Sequence, residues 1–172
     1  LQVLYANNNQ ITNLNLTNNT NLSLINVGSN LLSTIDISAL YNLTNFSVNN
    51  NQLSSIDLSN NANLSYLYLS GNQLTNLDLT YNINLSTLYV NDNQLTSLDL
   101  TNNQNLLTLN YGINQIPTLD LSNNNNLLDV SCYDNQVTNL NFLSNLSNLE
   151  FLNCAENNLS SLDVSIFPNL KG

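Results

Sequence analysis

The chain has 172 residues, of which 42% are hydrophobic and only 7% are charged. Eleven acidic residues stand against a single basic one, Lys171, and histidine is absent, so the formal net charge is −10. Nucleic-acid binding needs Lys or Arg to neutralise phosphates, and anionic membrane surfaces attract the same residues, so this composition excludes the first class and disfavours the second. No run of 18 apolar residues occurs, and we therefore predict no membrane insertion.

A leucine returns every 21 residues along the whole chain, except that the step from Leu127 to Leu149 is one residue longer. The leucines are Leu1, Leu22, Leu43, Leu64, Leu85, Leu106, Leu127, Leu149 and Leu170. Self-similarity at this period indicates a solenoid, in which one repeat forms one coil and cannot bury its apolar face alone. We predict a single domain over 1–172, with repeats that begin at these leucines and a partial repeat from 170. Because the chain lacks methionine and begins inside a repeat, we interpret it as a piece of a longer protein.

Each repeat begins with a segment of alternating character. In the fourth repeat, Leu67 and Leu69 alternate with Tyr66 and Tyr68, which predicts a strand with one buried face. The later segment 74–79 ends with a similar alternation, and it predicts a short second strand or an extended segment on the opposite side of the coil. Asn-rich stretches between the segments favour turns. The sequence therefore predicts a β-rich solenoid of eight stacked coils of 21–22 residues, with a parallel sheet on one face and little or no helix.

Asparagine occupies the ninth place of every repeat, counted from the first leucine. Because this place is flanked by apolar places, we predict that the amide turns inward and bonds backbone groups of its own and the neighbouring coil. A structural role is predicted for this set: Asn9, Asn30, Asn51, Asn72, Asn93, Asn114, Asn135 and Asn157. The same role is predicted for the asparagines that end the repeats: Asn21, Asn42, Asn63, Asn84, Asn105, Asn126, Asn148 and Asn169.

The pattern L-x-x-L-x-L-x-x-N-x-L resembles the leucine-rich repeat signature over essentially the whole chain. The 21-residue length and the L-D-L ending, as in 77–79 and 98–100, resemble the short bacterial class of these repeats, whereas 141–152 resembles the 22-residue internalin type. Cys132 and Cys154 resemble those of secreted repeats from Bacteroidota. The resemblance implies a right-handed coil that binds partners on its strand face without catalysis.

The third, fifth and seventh places of each repeat form the predicted exposed strand face. Tyr66, Tyr68 and Tyr89 fall together on adjacent coils, and exposed tyrosines offer a large contact area at low entropic cost. The alternative is that tyrosine simply packs well across strands. The predicted ligand-binding residues are Tyr66, Tyr68, Tyr89, Tyr5, Tyr133, Phe151 and Asp129.

Carboxylates recur at two other places. A ladder at the fifteenth place is predicted to be solvated and bonded to neighbouring Ser or Thr, with adventitious calcium as the alternative: Asp36, Asp57, Asp78, Asp99, Asp120 and Asp163. A second group (Asp92, Asp134 and Glu156, beside Asp129 and Glu150) makes the end of the strand face acidic. That group either steers a basic partner or is an ordinary soluble rim.

Two cysteines, Cys132 and Cys154, occupy the same inward place on neighbouring coils. Their predicted Cα separation of about 5 Å lies within the range of a disulfide. Parallel strands make the required torsion awkward, so we favour two free thiols and leave the disulfide open. No CxxC motif or histidine accompanies them, and no metal or cofactor is predicted.

Catalysis is not predicted, because the usual general base and any Ser-His-Asp arrangement need a histidine. The favoured hypothesis is a non-enzymatic recognition or adhesion module, extracellular or at the cell surface, that binds a protein or glycan ligand. The alternatives are a structural spacer or filament subunit that self-associates end to end, and an ice-binding protein. Rows of Thr such as Thr75 and Thr96 motivate the last of these, although the aspartates lie between those rows.

Overall fold

The computed structural model describes residues 1–171. Eight strands of three residues each form one sheet in which every strand is parallel to the next and follows chain order. The strands are β1 (Val3–Tyr5), β2 (Leu24–Asn26), β3 (Asn45–Ser47), β4 (Tyr66–Tyr68), β5 (Thr87–Tyr89), β6 (Thr108–Asn110), β7 (Asp129–Ser131) and β8 (Phe151–Asn153). One strand per repeat at the predicted place confirms the stacked coils.

The strand register places equivalent residues of successive repeats side by side. Tyr68 pairs with Tyr89, 21 residues later, and Asp129 pairs with Phe151, 22 residues later. Ladder hydrogen bonds continue past the three-residue strands, as from the N–H of Val48 to the carbonyl of Tyr68 at 3.0 Å. The backbone around each inner strand, β2–β7, is therefore joined to both neighbouring coils.

The opposite side of the coil has no second strand within residues 1–171, so of the two predicted alternatives the extended segment is correct. Two successive tight turns close each coil there. In the third coil, Asn61 donates its N–H to the carbonyl of Leu58 at 3.0 Å, and Leu64 donates to that of Asn61 at 3.1 Å. These turn hydrogen bonds lie within one coil, whereas a second ladder would need backbone hydrogen bonds between coils.

The extra residue of the seventh repeat is absorbed on this same side. Asn141–Leu143 form a single 3₁₀ turn, and Leu143 is fully buried within it. A 3₁₀ turn rises about 2 Å per residue and can take up one residue without disturbing the strands on either side. The longer repeat therefore leaves the sheet unbroken.

The core consists of columns of apolar side chains that run along the solenoid. The opening leucines from Leu22 to Leu149 are fully buried, as is the inward residue of the inner strands, such as Leu67 and Leu88. Leu4 and Leu152, in the first and last strands, are only partly buried, because each has a neighbouring coil on one side. The apolar column is continuous only where coils are stacked on both sides.

Candidate binding face

The outward side chains of β4 and β5 form the aromatic centre of the strand face. The rings of Tyr68 and Tyr89 stack with centroids 5.3 Å apart and an interplanar angle of 30°. Tyr66 is 41% exposed and lies on the same side of β4, two residues before Tyr68. The in-register stacking of repeats produces this grouping, since the outward places of adjacent coils must then be neighbours.

The remaining predicted aromatic residues fall into separate places on the face. Tyr5 is 67% exposed on β1, three strands away from β4, so it does not join the tyrosine stack. Phe151 lies on β8, and Tyr133 follows β7. The ring of Tyr133 covers Gly112 of the preceding coil so closely that a Cβ on that glycine would overlap it. Gly112 therefore fixes where the Tyr133 ring can lie.

Asp129 is the one carboxylate on an outward strand place among residues 1–171. It lies between Thr108 and Phe151 in the register, and its carboxylate accepts no hydrogen bond from these residues. Partial burial raises its pKa. Burial also raises the pKa of Tyr89, and the charge of Asp129 and then Tyr68 add to that shift.

The ninth-place asparagines form a fully bonded ladder immediately behind the strand face. The amide of Asn72 donates to the carbonyls of Val48 at 3.1 Å, Leu69 at 2.9 Å and Ser70 at 3.4 Å, while its Oδ1 accepts the N–H of Leu53 at 3.0 Å. Six further asparagines repeat this pattern: Asn30, Asn51, Asn93, Asn114, Asn135 and Asn157. Asn9 bonds only Ala6 and Asn7 of its own coil.

The turn before each ninth-place asparagine has a left-handed residue at the eighth place, a feature that the sequence did not reveal. Positive φ angles occur at Asn8, Ser29, Asn50, Gly71, Asp92, Ile113, Asp134 and Glu156. Asn and Asp tolerate this conformation, whereas for a β-branched residue it is strained. Ile113, at a φ of 50°, is the strained member.

A second buried asparagine ladder lies on the opposite side, at the nineteenth place, and sequence reasoning missed it. Asn82 is 1% exposed and donates to the carbonyls of Leu58 at 3.2 Å and Asn61 at 3.0 Å. The buried Oδ1 atoms of Asn61, Asn82, Asn103 and Asn124 have no partner within residues 1–171. Leu40 and Phe167 at equivalent places were the signal available, because an apolar residue that replaces Asn indicates an inward place.

The asparagines that end the repeats lie outside both ladders and are exposed. From Asn42 onwards each donates to a carbonyl of the preceding coil, as Asn84 does to Ala62 at 3.0 Å and Asn63 does to Tyr41 at 2.8 Å. They tie adjacent turns together at the surface, where water competes for the same carbonyls.

The fifteenth-place aspartates are exposed and cap the turns that follow them. Asp78 accepts the N–H of Thr80 at 2.9 Å and its hydroxyl at 2.6 Å, and these bonds hold the pKa of Asp78 below its ordinary value. Every aspartate of this ladder accepts the N–H of the Ser or Thr two residues later, as predicted, and Asp36 also accepts the hydroxyl of Ser38 at 2.7 Å. Asn15 makes the same pair of bonds to Thr17. Asn141, at the equivalent place of the seventh repeat, instead begins the 3₁₀ turn.

Cys132 is buried, Cys154 is half-buried, and both are free thiols. Burial raises the pKa of the Cys132 thiol to about 12. Such a thiol stays protonated at neutral pH and acts as a small apolar side chain. The buried ring of Tyr111 occupies the equivalent place of the preceding coil.

Within residues 1–171, no group of three His, Cys, Asp or Glu side chains could hold a metal ion. No helix in this part of the chain has the length and apolar character needed to cross a bilayer.

No protein-family model and no curated protein matches the sequence. Among solved structures, the chain is similar to the functional domain of InlJ from Listeria monocytogenes, which is described as including a cysteine ladder. The identity is 32% and the TM-score 0.79, over 99% of this chain and 43% of that one. The chain is also similar to the internalin InlC2 of the same organism, with 28% identity and a TM-score of 0.89 over 99% of this chain and 77% of that one.

A leucine-rich repeat protein of Leptospira interrogans is similar in fold, with a TM-score of 0.83 at 24% identity over 88% of this chain and 42% of that one. The chain thus spans less than half the length of InlJ and of the Leptospira protein. The repeat signature, the parallel sheet and these likenesses agree. The chain is a leucine-rich repeat solenoid built from the 21-residue bacterial class of repeat.

Proposed function

We propose that this chain is a non-enzymatic recognition module, secreted or displayed at a cell surface, that binds a protein partner through its strand face. The observation that carries the proposal is the pair of half-buried, stacked tyrosines Tyr68 and Tyr89 on the sheet, beside the exposed Tyr66. Backbone pairing of β4 with β5 holds the two rings against each other, so little conformational entropy is lost when they contact a partner.

The surrounding backbone supports this use of the face. The outward side chains of β2–β7 stand on three-residue strands paired on both sides, and the asparagine ladder behind them fixes the turn that follows each strand. A binding surface on rigid elements keeps its geometry before the ligand arrives. The outward places differ from repeat to repeat while the buried places stay nearly constant, as is expected where the scaffold and the contact surface have separate roles.

The test is a selection of displayed 12-residue peptides on the immobilised chain, followed by affinity measurements on two variants. The face variant replaces Tyr66, Tyr68 and Tyr89 by Ser. The matched control replaces Tyr41 and Tyr81 by Ser, since these tyrosines are 60% and 57% exposed and lie outside the sheet. Unfolding transitions of both variants confirm that they remain folded.

We expect the selected peptides to bind the face variant at least tenfold more weakly and the control variant as tightly as the parent chain, because buried aromatic anchors dominate interface energies. Equal loss in both variants would place binding elsewhere on the surface. If no peptide is selected but defined oligosaccharides bind in a tyrosine-dependent way, the ligand is a glycan and the protein partner is wrong.

A further inference from the structure

The acidic residues of the chain divide between the two halves of the strand side. Six of the eleven form the fifteenth-place ladder on the opposite side of the coil. The other five all follow residue 91: Asp92, Asp129, Asp134, Glu150 and Glu156. They lie on the strands of the later coils or directly beside them, and no acidic residue occupies an equivalent place in residues 1–91. The later half of the strand face is thus strongly negative, and the earlier half is uncharged.

The carboxylate of Asp129 has no internal partner to neutralise it. The one cationic side chain, Lys171, bonds Glu150 instead. Asp129 is partly buried beside Phe151 and carries its charge without a hydrogen-bond donor from residues 1–171. A partly desolvated carboxylate gains more from an incoming donor than a fully hydrated one, because less hydration must be removed when the donor arrives.

Short side chains separate Asp129 from the tyrosine stack. In the register, Asn110 and Ser131 follow Tyr89 along the fifth place, and Ser131 is 8% exposed although it points outward. Tyr89 on β5 and Asp129 on β7 are two strands apart, which is about 10 Å at the usual spacing of strands. Aromatic faces and an unneutralised carboxylate therefore flank one stretch of the sheet.

We propose that strands β4–β7, where the tyrosines adjoin the acidic later half of the strand face, bind a basic segment of the partner protein, with an arginine side chain between the Tyr68–Tyr89 stack and Asp129. A planar guanidinium can stack on a tyrosine ring while it donates two hydrogen bonds to a carboxylate. The carboxylates at the rim, Asp92, Asp134 and Glu156, would speed the approach of such a segment. This inference rests on the proposed function, because it names the chemistry of the partner for the same face.

The test uses a 12-residue peptide with four arginines, and the same peptide with citrulline at those four positions. Citrulline keeps the shape of the side chain and removes its charge. Binding is followed by backbone amide NMR shifts at about 0.15 M salt, where weak long-range attraction to a net negative protein is screened. We expect the arginine peptide to shift amides of β4–β7 and the citrulline peptide to bind at least tenfold more weakly.

Variants separate a specific site from general attraction. Asp129→Asn should weaken the arginine peptide about tenfold, which is the size of one charge-assisted hydrogen bond. Asp57→Asn removes the same charge from the opposite side and should have little effect. Tyr89→Phe keeps the ring and should retain affinity, whereas Tyr89→Leu should weaken binding severalfold. Equal effects of the two aspartate variants, or shifts spread over the whole chain, would overturn the proposal.

The peptide selection described above distinguishes this failure from that of the proposed function. If selected peptides depend on the tyrosines but carry no excess of arginine or lysine and bind Asp129→Asn normally, the face recognises proteins and the cationic partner is wrong. If no selected peptide depends on the tyrosines, both proposals are wrong.

Discussion

The inner coils have a buried asparagine at each of two corners, but the two asparagines differ in how many of their polar atoms are hydrogen-bonded. At the corner after the strand, Asn72 fills every bonding capacity of its amide that the surrounding backbone can reach, with three carbonyls and one N–H. At the opposite corner, Asn82 donates twice, but its Oδ1 is buried without a partner. A buried acceptor without a partner costs about 1–3 kcal/mol of stability. This cost offsets part of the stabilisation that the donated hydrogen bonds of the second corner contribute.

The difference teaches which asparagine the fold depends on. The ninth place holds Asn in all eight repeats, whereas the nineteenth place admits Leu40 and Phe167, both buried. An apolar side chain at the nineteenth place loses two donated hydrogen bonds, but it also removes a buried acceptor that has no partner. An apolar side chain at the ninth place would in addition leave a backbone N–H of the preceding coil buried without an acceptor.

Asn72→Leu should have the largest effect. We expect a loss of about 3 kcal/mol in the free energy of unfolding, because the buried N–H of Leu53 loses its only partner and three carbonyls each lose one of two donors. Urea unfolding followed by circular dichroism measures it. A loss below about 1 kcal/mol would mean that the backbone relaxes to bond itself.

Asn82→Leu in the same coil should cost less, about 1–2 kcal/mol, because the substitution also removes the orphaned Oδ1. The same urea titration gives the comparison directly, since both variants introduce the same side chain. Asn84→Leu is the surface control and should change stability by about 0.5 kcal/mol or less. If Asn82→Leu is as harmful as Asn72→Leu, the two corners are equivalent and our distinction is wrong.

Ile113→Asn should stabilise the chain by about 1 kcal/mol, because a left-handed backbone is costly for a β-branched residue and Asn8 and Asn50 occupy the same place elsewhere. Thermal unfolding measures the shift. Leu128→Asn is the matched control, since Leu128 and Ile113 are both 37% exposed and only Ile113 has a positive φ. A gain at both positions would indicate a general surface effect.

The aspartate caps should give the smallest effect, and it should depend on pH. Hydrogen bonds from Ser or Thr hold the pKa values of Asp36, Asp57, Asp78, Asp99, Asp120 and Asp163 below the unfolded value of about 3.9. Their stabilisation is present above that value and is lost as the pH falls through the lowered folded values. Repulsion between neighbouring aspartates, as between Asp78 and Asp57, opposes the shift in part.

Replacing all six aspartates by Asn isolates this contribution. Asn15 already forms the same turn without a charge, so the variant should fold and show a flatter loss of stability between about pH 5 and pH 2. Thermal unfolding across that range gives the slope. An unchanged slope would assign the acid sensitivity to carboxylates outside this ladder. Asp129 is not among them, because burial raises its pKa and its protonation therefore favours the folded state.

Several features could be predicted from the sequence because they repeat. The period of 21 predicted the length of one coil, and the alternation around Leu67 predicted the strand. The apolar places on either side of Asn72 predicted that its amide points inward. The stacking of Tyr68 on Tyr89 followed from the same register. The nineteenth-place ladder was missed because its asparagines stand in Asn-rich stretches that look like solvent-exposed turns. The ligand-binding roles of all seven residues of the strand face stay predictions, as does the domain extent of 1–172; the seven are Tyr5, Tyr66, Tyr68, Tyr89, Asp129, Tyr133 and Phe151.

Periodicity alone determined the architecture, because a repeated sequence in a stacked chain must place equivalent residues in line, whatever their chemistry. Only the tertiary structure decided which polar groups in each row of equivalent residues are hydrogen-bonded and which residues are strained. Whether an amide is fully bonded, whether Ile113 is strained and whether Asp129 has a donor all depend on distances of a few tenths of an ångström between neighbouring coils. Hydrogen bonds and desolvation vary over such distances, and a one-dimensional pattern does not contain them.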